Sequence, residues 1–203
     1  MLLDEMMPDW DATRVEHRVI AGPRTHVYET ALDIDFLDVP REVPAVRSLF
    51  AVRSAGERLV AAARRVPPTP VEAPPSMRLR DMTSHGEWVD LGRDAGAEIA
   101  FGAVGRFWAG RTAWIELDAA DFAAFAEPAF ARIACNLSFR DYGPQTLVSY
   151  EARTRATDAA ARAAFLRYWR VVDLFVGVVM RGTLRLLDHA VRDGSVNSSR
   201  PHL

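Results

Sequence analysis

The spacing of polar and apolar positions changes several times along the chain. Residues 13–20, "TRVEHRVI", alternate: Val15, His17 and Val19 fall on one side, Arg14, Glu16 and Arg18 on the other. That period of two predicts a first strand. Gly22-Pro23 closes it, and Val27, Tyr28, Ala31 and Leu32 then recur at helical spacing. A second helix is expected from near Pro44, with Val46, Leu49, Phe50 and Arg53 on one face and residues 59–63 continuing it past Gly56. Residues 66–76, "VPPTPVEAPPS", hold repeated prolines that join neither a helix nor a central strand. They read as an extended connector.

From 79 to 155 the pattern is that of β structure. Strands are expected at 88–91, 98–108, 112–117, 129–140 and 145–155, with a small alanine-rich helix at 121–126. Gly102 and Gly105 inside one long strand mark bends or bulges and point to a curved sheet. Two-residue turn arithmetic at Ala109-Gly110 sets Trp114 beside Gly105. The last hairpin turns at "DYGP". With Arg140 opposite Gln145, Cys135 faces Tyr150, Leu137 faces Val148 and Ile133 faces Ala152. The opposite side then carries Asn136, Glu151, Arg132 and Arg153, and is expected to be solvated, as one face of an antiparallel sheet often is.

At Thr157-Asp158 the period changes to helical and stays so over the longest apolar run of the chain. Thr157 is the expected N-cap, with Asp158 in the first turn. Arg162, Arg170, Asp173, Arg181, Asp188 and Arg192 form a polar stripe. Phe165, Tyr168, Trp169, Val172, Phe175, Val176, Val179 and Leu187 lie mostly opposite. An apolar helix stripe needs a partner and an apolar sheet face needs a cover, so the helix is expected to lie across the sheet. A curved sheet and a nearly straight helix cannot touch everywhere. The gap between them would be a pocket of apolar and aromatic groups with few polar ones, which is the usual character of a small-molecule site.

The plan, with "GEWVDLG" (86–92), "EIAFGAVGRFW" (98–108) and "EARTRATDAAARAAFLRYWRVV" (151–172), resembles the START-like superfamily. This is the polyketide cyclase/dehydrase and lipid-transport group of the helix-grip fold, and "RFW" and "YW" look most like its uncharacterised actinobacterial members. The resemblance spans residues 13–191. It implies an α+β helix-grip fold: a curved antiparallel sheet of about six or seven strands around a long C-terminal helix, with two small helices after the first strand. It also implies a hydrophobic ligand (a lipid, polyketide or aromatic metabolite) between sheet and helix. Only some members of the group are enzymes, of the cyclase or dehydrase kind. The proline-rich connector departs from a compact version of this fold.

On this reading the ligand walls are Phe101, Trp114, Tyr150, Phe165, Tyr168, Trp169 and Val172, with Phe107 and Trp108 nearby. Arg106, Glu116 and His85 are the candidate polar groups of the pocket. Residues 1–193 form one expected domain, and 194–203 an aperiodic tail.

Composition narrows the function classes. Apolar residues make up 49% of the 203, enough for a substantial core. The net charge of -2 comes with no basic block, so no nucleic-acid partner is expected. Every one of the 25 cationic side chains is arginine. The single cysteine, Cys135, excludes an internal disulfide and multi-cysteine metal sites. His26 and Glu29 share a helix face without a third ligand, so neither a metal nor a cofactor is expected. No G-x-S-x-G elbow occurs, and "GAVGR" lacks the spacing of a phosphate loop. The start "MLLDEMMPDW" has no basic opening or apolar core, so it does not read as a signal peptide. Residues 171–180 supply about half of the ~20 apolar residues a membrane span needs. A cytoplasmic protein with no membrane span is the expectation.

Overall fold

A computed structural model describes residues 1–39, 76–83, 85–109 and 113–198. The expected second helix and nearly all of the proline-rich connector lie outside the described residues. The elements are α1 (Leu2–Met6), β1 (Ala12–Ala21), α2 (Arg24–Asp33), β2 (His85–Gly86), β3 (Trp88–Asp94), β4 (Glu98–Gly105), β5 (Trp114–Ile115), β6 (Leu117–Asp118), α3 (Ala119–Phe122), β7 (Ala131–Tyr142), β8 (Gln145–Ala156) and α4 (Ala159–Ser198). The fold is α+β with the helix-grip arrangement. A six-stranded antiparallel sheet runs β1-β8-β7-β4-β3, with β5 also on β4, and α4 crosses it over β1 and β8. Residues 194–198, expected in the tail, continue α4.

The last hairpin is longer than its sequence suggests. Tyr142 pairs with Gln145, so the turn is Gly143-Pro144 alone. Gly143 has φ +61 and proline cannot follow with a positive φ, which makes this a II′ turn. The register therefore sits two residues from the expected one: Cys135 is opposite Ala152, Leu137 opposite Tyr150 and Phe139 opposite Val148. A slip of two preserves the faces, so the residues grouped by alternation do share a side.

The outer face of this hairpin is not solvated. Helix α1 and α3 cover it and build a second core from Leu3, Met7, Leu91, Ala100, Val104 and Phe122. The polar residues under them are used internally. Glu98 accepts from the Leu2 and Leu3 amides at 2.9 and 3.4 Å and from Asn136 Nδ2 at 2.5 Å. Arg153 pairs with Glu151 at 2.7 Å and Asp4 at 2.8 Å, donates to the Met7 carbonyl at 3.1 Å and stacks 4.1 Å over Trp10. Arg132 donates to the carbonyls of Phe122 and Ala123.

The inner face carries the main core. Ile99, Phe101, Leu137, Phe139 and Val148 pack against α2 and against Met180, Leu184, Leu187 and Val191 of α4. At the β1 edge the charged side of the strand is the one that turns inward, while Val15 and Val19 are exposed. Arg14 meets Asp173 at 3.1 Å, Glu16 meets Arg181 at 2.6 Å, and Arg18 meets Asp188 at 2.6 Å. Asp188 is 1% exposed and also takes Arg192. Part of the supposed wet stripe of α4 is thus a partly buried ionic seam, and the helix is turned accordingly.

The cap of α4 is Asp158, not Thr157. Asp158 Oδ1 accepts from the amides of Ala160 and Ala161 at 2.8 and 2.9 Å. Its other oxygen takes the Ala129 amide, and Thr157 instead bonds Phe130 of the loop before β7. These backbone donors, Ala129 first, hold the Asp158 carboxyl below its usual range. The junction fixes where the first turns of α4 leave the sheet.

Candidate functional site

The inner face changes in side-chain size along its strands. One pair of rungs reads Phe139-Val148 and Ile99-Leu137-Tyr150, all large. The next holds Phe101 with Cys135 and Ala152, then Ala103 with Ile133 and Thr154, then Gly105 with Ala131 and Ala156. The large rungs lie under α2 and the second half of α4. The small ones lie toward the first half of α4, where Ala161 packs with Ala131 and Ala156.

Aromatic rings border this small-residue end in two rows. On the sheet, Phe107 meets Trp114 at 5.4 Å between ring centres, Trp114 meets Trp88 at 5.8 Å, Trp88 meets Phe101 at 5.9 Å, and Phe101 meets Tyr150 at 6.2 Å. On the helix side, Trp108 meets Phe165 at 6.2 Å and Phe165 meets Trp169 at 5.8 Å. The rows begin at neighbouring residues, Phe107 and Trp108, and then part along sheet and helix. Gly105, paired with Trp114 as turn arithmetic predicts, is required here. A Cβ on it would lie 2.9 Å from the Phe107 ring and 3.1 Å from the Trp114 ring.

Burial differs between the halves of α4. Met180, Leu184, Leu187 and Val191 are fully buried. Trp169, Val172 and Val176, one to three turns before Met180, are only half-buried, as are Trp88, Trp114 and Ile133 on the sheet. These large apolar side chains are thus partly accessible to solvent, unlike those of the second half of α4. An open, polar-edged cleft of about 250 Å³ lies beside Trp88, between residues 76–83 and Glu87.

Tyr150 and Cys135 supply the polar atoms of the floor. Burial pushes the Cys135 thiol up to about 12 and raises the Tyr150 hydroxyl well above its ordinary value. Both are protonated near neutral pH, so the tyrosine is a hydrogen-bond donor and the thiol is unreactive.

The wall residues named from sequence divide as follows. Phe101, Tyr150 and Phe165 are buried, and Trp114, Trp169, Tyr168 and Val172 are half-buried. Ring contacts join Phe101, Trp114 and Tyr150 in one row and Phe165 and Trp169 in the other. Two of the polar candidates, Arg106 and Glu116, do not gather around Tyr150. Arg106 turns to the outer side, where it donates to the Ala129 carbonyl at 3.0 Å and lies 5.0 Å over Phe130. Glu116 is exposed between β5 and β6, and pairs with no cation among the described residues. The backbone of His85, the third candidate, pairs with Asp118 in the small β2-β6 ladder. Trp88, Phe36 and Ile133 also border the inner face at this end and were not singled out by sequence. For Trp88 the signal existed, since it alternates with Val89 and Leu91, but four strand residues left its face undecided.

Among the described residues no three His, Cys, Asp or Glu side chains are grouped to hold a metal, and no helix is long and apolar enough to cross a membrane.

No family model matches the chain, and no curated protein matches it. Solved structures do. TTHA0849 from Thermus thermophilus is 13% identical, covering 91% of this chain and 99% of its own, with a TM-score of 0.35. CV1439 from Chromobacterium violaceum is 12% identical, covering 91% and 98%, at 0.36. Ms6760 from Mycobacterium smegmatis is 14% identical, covering 96% of both chains, at 0.39. Likenesses this remote say nothing of activity.

Proposed function

We propose that this protein is a START-like helix-grip protein that binds a hydrophobic small molecule (a lipid, polyketide or aromatic metabolite) between the inner sheet face and the first half of α4. The observation that carries the reading is the coincidence of small rungs at Ala103, Gly105, Ala131 and Ala152 with half-buried Trp114, Trp169 and Val172. Packed cores avoid such a combination, because a void loses contacts on every side that lines it. In this reading the ligand fills the space, the ring edges give it area, and the Tyr150 hydroxyl donates to a carbonyl or hydroxyl oxygen of the ligand.

Cyclase or dehydrase chemistry would need a second titratable group beside Tyr150 to move a proton. Arg106 and Glu116 are turned elsewhere, and Glu16, cross-strand from Tyr150 on the inner face, is engaged by Arg14 and Arg181 at 2.6 Å each. Binding without catalysis is therefore the reading the geometry favours.

Trp169→Ala tests it. A fully packed tryptophan truncated to alanine costs about 3–5 kcal/mol. At a ligand cavity part of that volume was never filled by protein, so the expected loss is smaller. Binding of an environment-sensitive hydrophobic dye should fall more than stability does. A denaturant melt and a dye titration, run on both proteins, give the two numbers. A full core penalty with no dye binding in the wild type would leave a filled core and remove the proposal.

A further inference from the structure

Helix α4 has a second apolar surface, on the side away from the sheet. Val171, Leu174 and Phe175 are 66%, 71% and 36% exposed, three large apolar side chains within little more than one turn. Their spacing of three and four residues stacks them into one ridge. Arg167 and Arg170 lie one turn earlier on the same outward side, also exposed. Neither enters an ion pair among the described residues. The acids of this helix region are turned the other way: Asp173 is taken by Arg14, and Asp188 by Arg18 and Arg192. The ridge is therefore apolar and cationic, with no anion of its own.

We propose that this ridge docks on an anionic membrane surface, with α4 lying in the plane of the interface. Three observations favour a lipid surface over a protein groove. The ridge projects rather than recedes, and a fluid bilayer needs no matching shape. Its charge is of one sign and complements lipid phosphates, which arginine binds in bidentate fashion. Tyr168, half-buried three residues before Val171, is an amphipathic aromatic of the kind that settles at headgroup depth. Burying three apolar side chains beside two cations gives attachment that is weak, reversible and sensitive to salt. The inference does not depend on the ligand pocket, because it concerns the opposite side of the helix.

The experiment is co-sedimentation of the full chain with vesicles of phosphatidylcholine alone or of equal parts phosphatidylcholine and phosphatidylserine, at low and high salt. The wild type is expected to bind the mixed vesicles at low salt, to leave them at high salt and to ignore the neutral ones. The double substitution Arg167→Gln/Arg170→Gln should weaken binding about thirtyfold, from ~1 kcal/mol per cation near the surface. Val171→Asp/Leu174→Asp should abolish it. Both pairs sit on exposed positions, and a thermal melt checks that folding is kept. If the aspartate pair unfolds the chain, the arginine pair still decides. Absence of binding to the mixed vesicles at low salt overturns the proposal. So does a wild type that self-associates in solution and becomes monomeric when Leu174 is replaced by Asp, since the ridge would then be an interface between copies.

Discussion

Two glycines show how the same substitution has different consequences in different surroundings. A Cβ at Gly102 would stand 2.8 Å from the Ile133 carbonyl oxygen, 2.8 Å from Leu91 and 2.9 Å from the Phe122 ring. The carbonyl belongs to the neighbouring strand and cannot move alone. At Gly177 the Cβ would stand 2.5 Å from a terminal nitrogen of Arg14, the far end of a flexible side chain. Gly102→Ala is expected to destabilise by about 1–3 kcal/mol through overpacking. Gly177→Ala gains about 1 kcal/mol of helix propensity and loses a half-exposed ion pair worth about 0–1 kcal/mol. It should therefore end within about 0.5 kcal/mol of wild type. Paired denaturant melts check both; a larger loss at Gly177 than at Gly102 would contradict this packing.

Among the elements, the outer cover has the most measurable consequence. Helix α1 is five residues long and holds its place through Leu3, Met7 and the contacts of Glu98 and Arg153. Arg153→Ala leaves half-buried Glu151 without its cation and opens a space under Trp10. The expected cost is about 3 kcal/mol, because a buried charge loses its partner. Protection of the Leu2 and Leu3 amides from hydrogen exchange should fall at the same time. A variant that melts like wild type and keeps those amides protected would mean that α1 docks without the arginine. This cover was hard to read in the sequence, since one helical turn with two buried apolar residues has no period to detect. The hairpin was easier. Alternation fixed which residues of β7 and β8 share a face, but not how far the strands run. Arg140, Asp141 and Tyr142 are exposed and carry no apolar alternation, so strand and loop look alike there. In β1 the alternation separated two faces without saying which is inside. Arg14, Glu16 and Arg18 become inward residues only through Asp173, Arg181 and Asp188, whose proximity a period of two cannot reveal.

For the molecule as a whole, the proposed ligand site lies at the small rungs under the first half of α4, in a sheet covered on both sides. The aromatic members of that region were legible because they alternate on strands or recur on one helix stripe. Of the small members, Gly105 was legible from turn arithmetic, but the alanines were not, since alanine in a strand means a void only when its cross-strand neighbours and the overlying helix are known. That is also why Arg106 could be mistaken for a pocket group: its direction depends on the turn after Gly105. The most direct test of the central claim is to fill the space. Ala152 lies on the inner face between Cys135 and Arg14. Ala152→Leu adds volume there, and its stability is to be compared with wild type in a denaturant melt while hydrophobic-dye binding is titrated in parallel. With a cavity above the rung, the variant should melt within about 1 kcal/mol of wild type or higher, because the added methyl groups are buried without overpacking. Its dye binding should be lost. A loss of about 1–3 kcal/mol with dye binding unchanged would mean that the region is already packed and that the ligand site is not there.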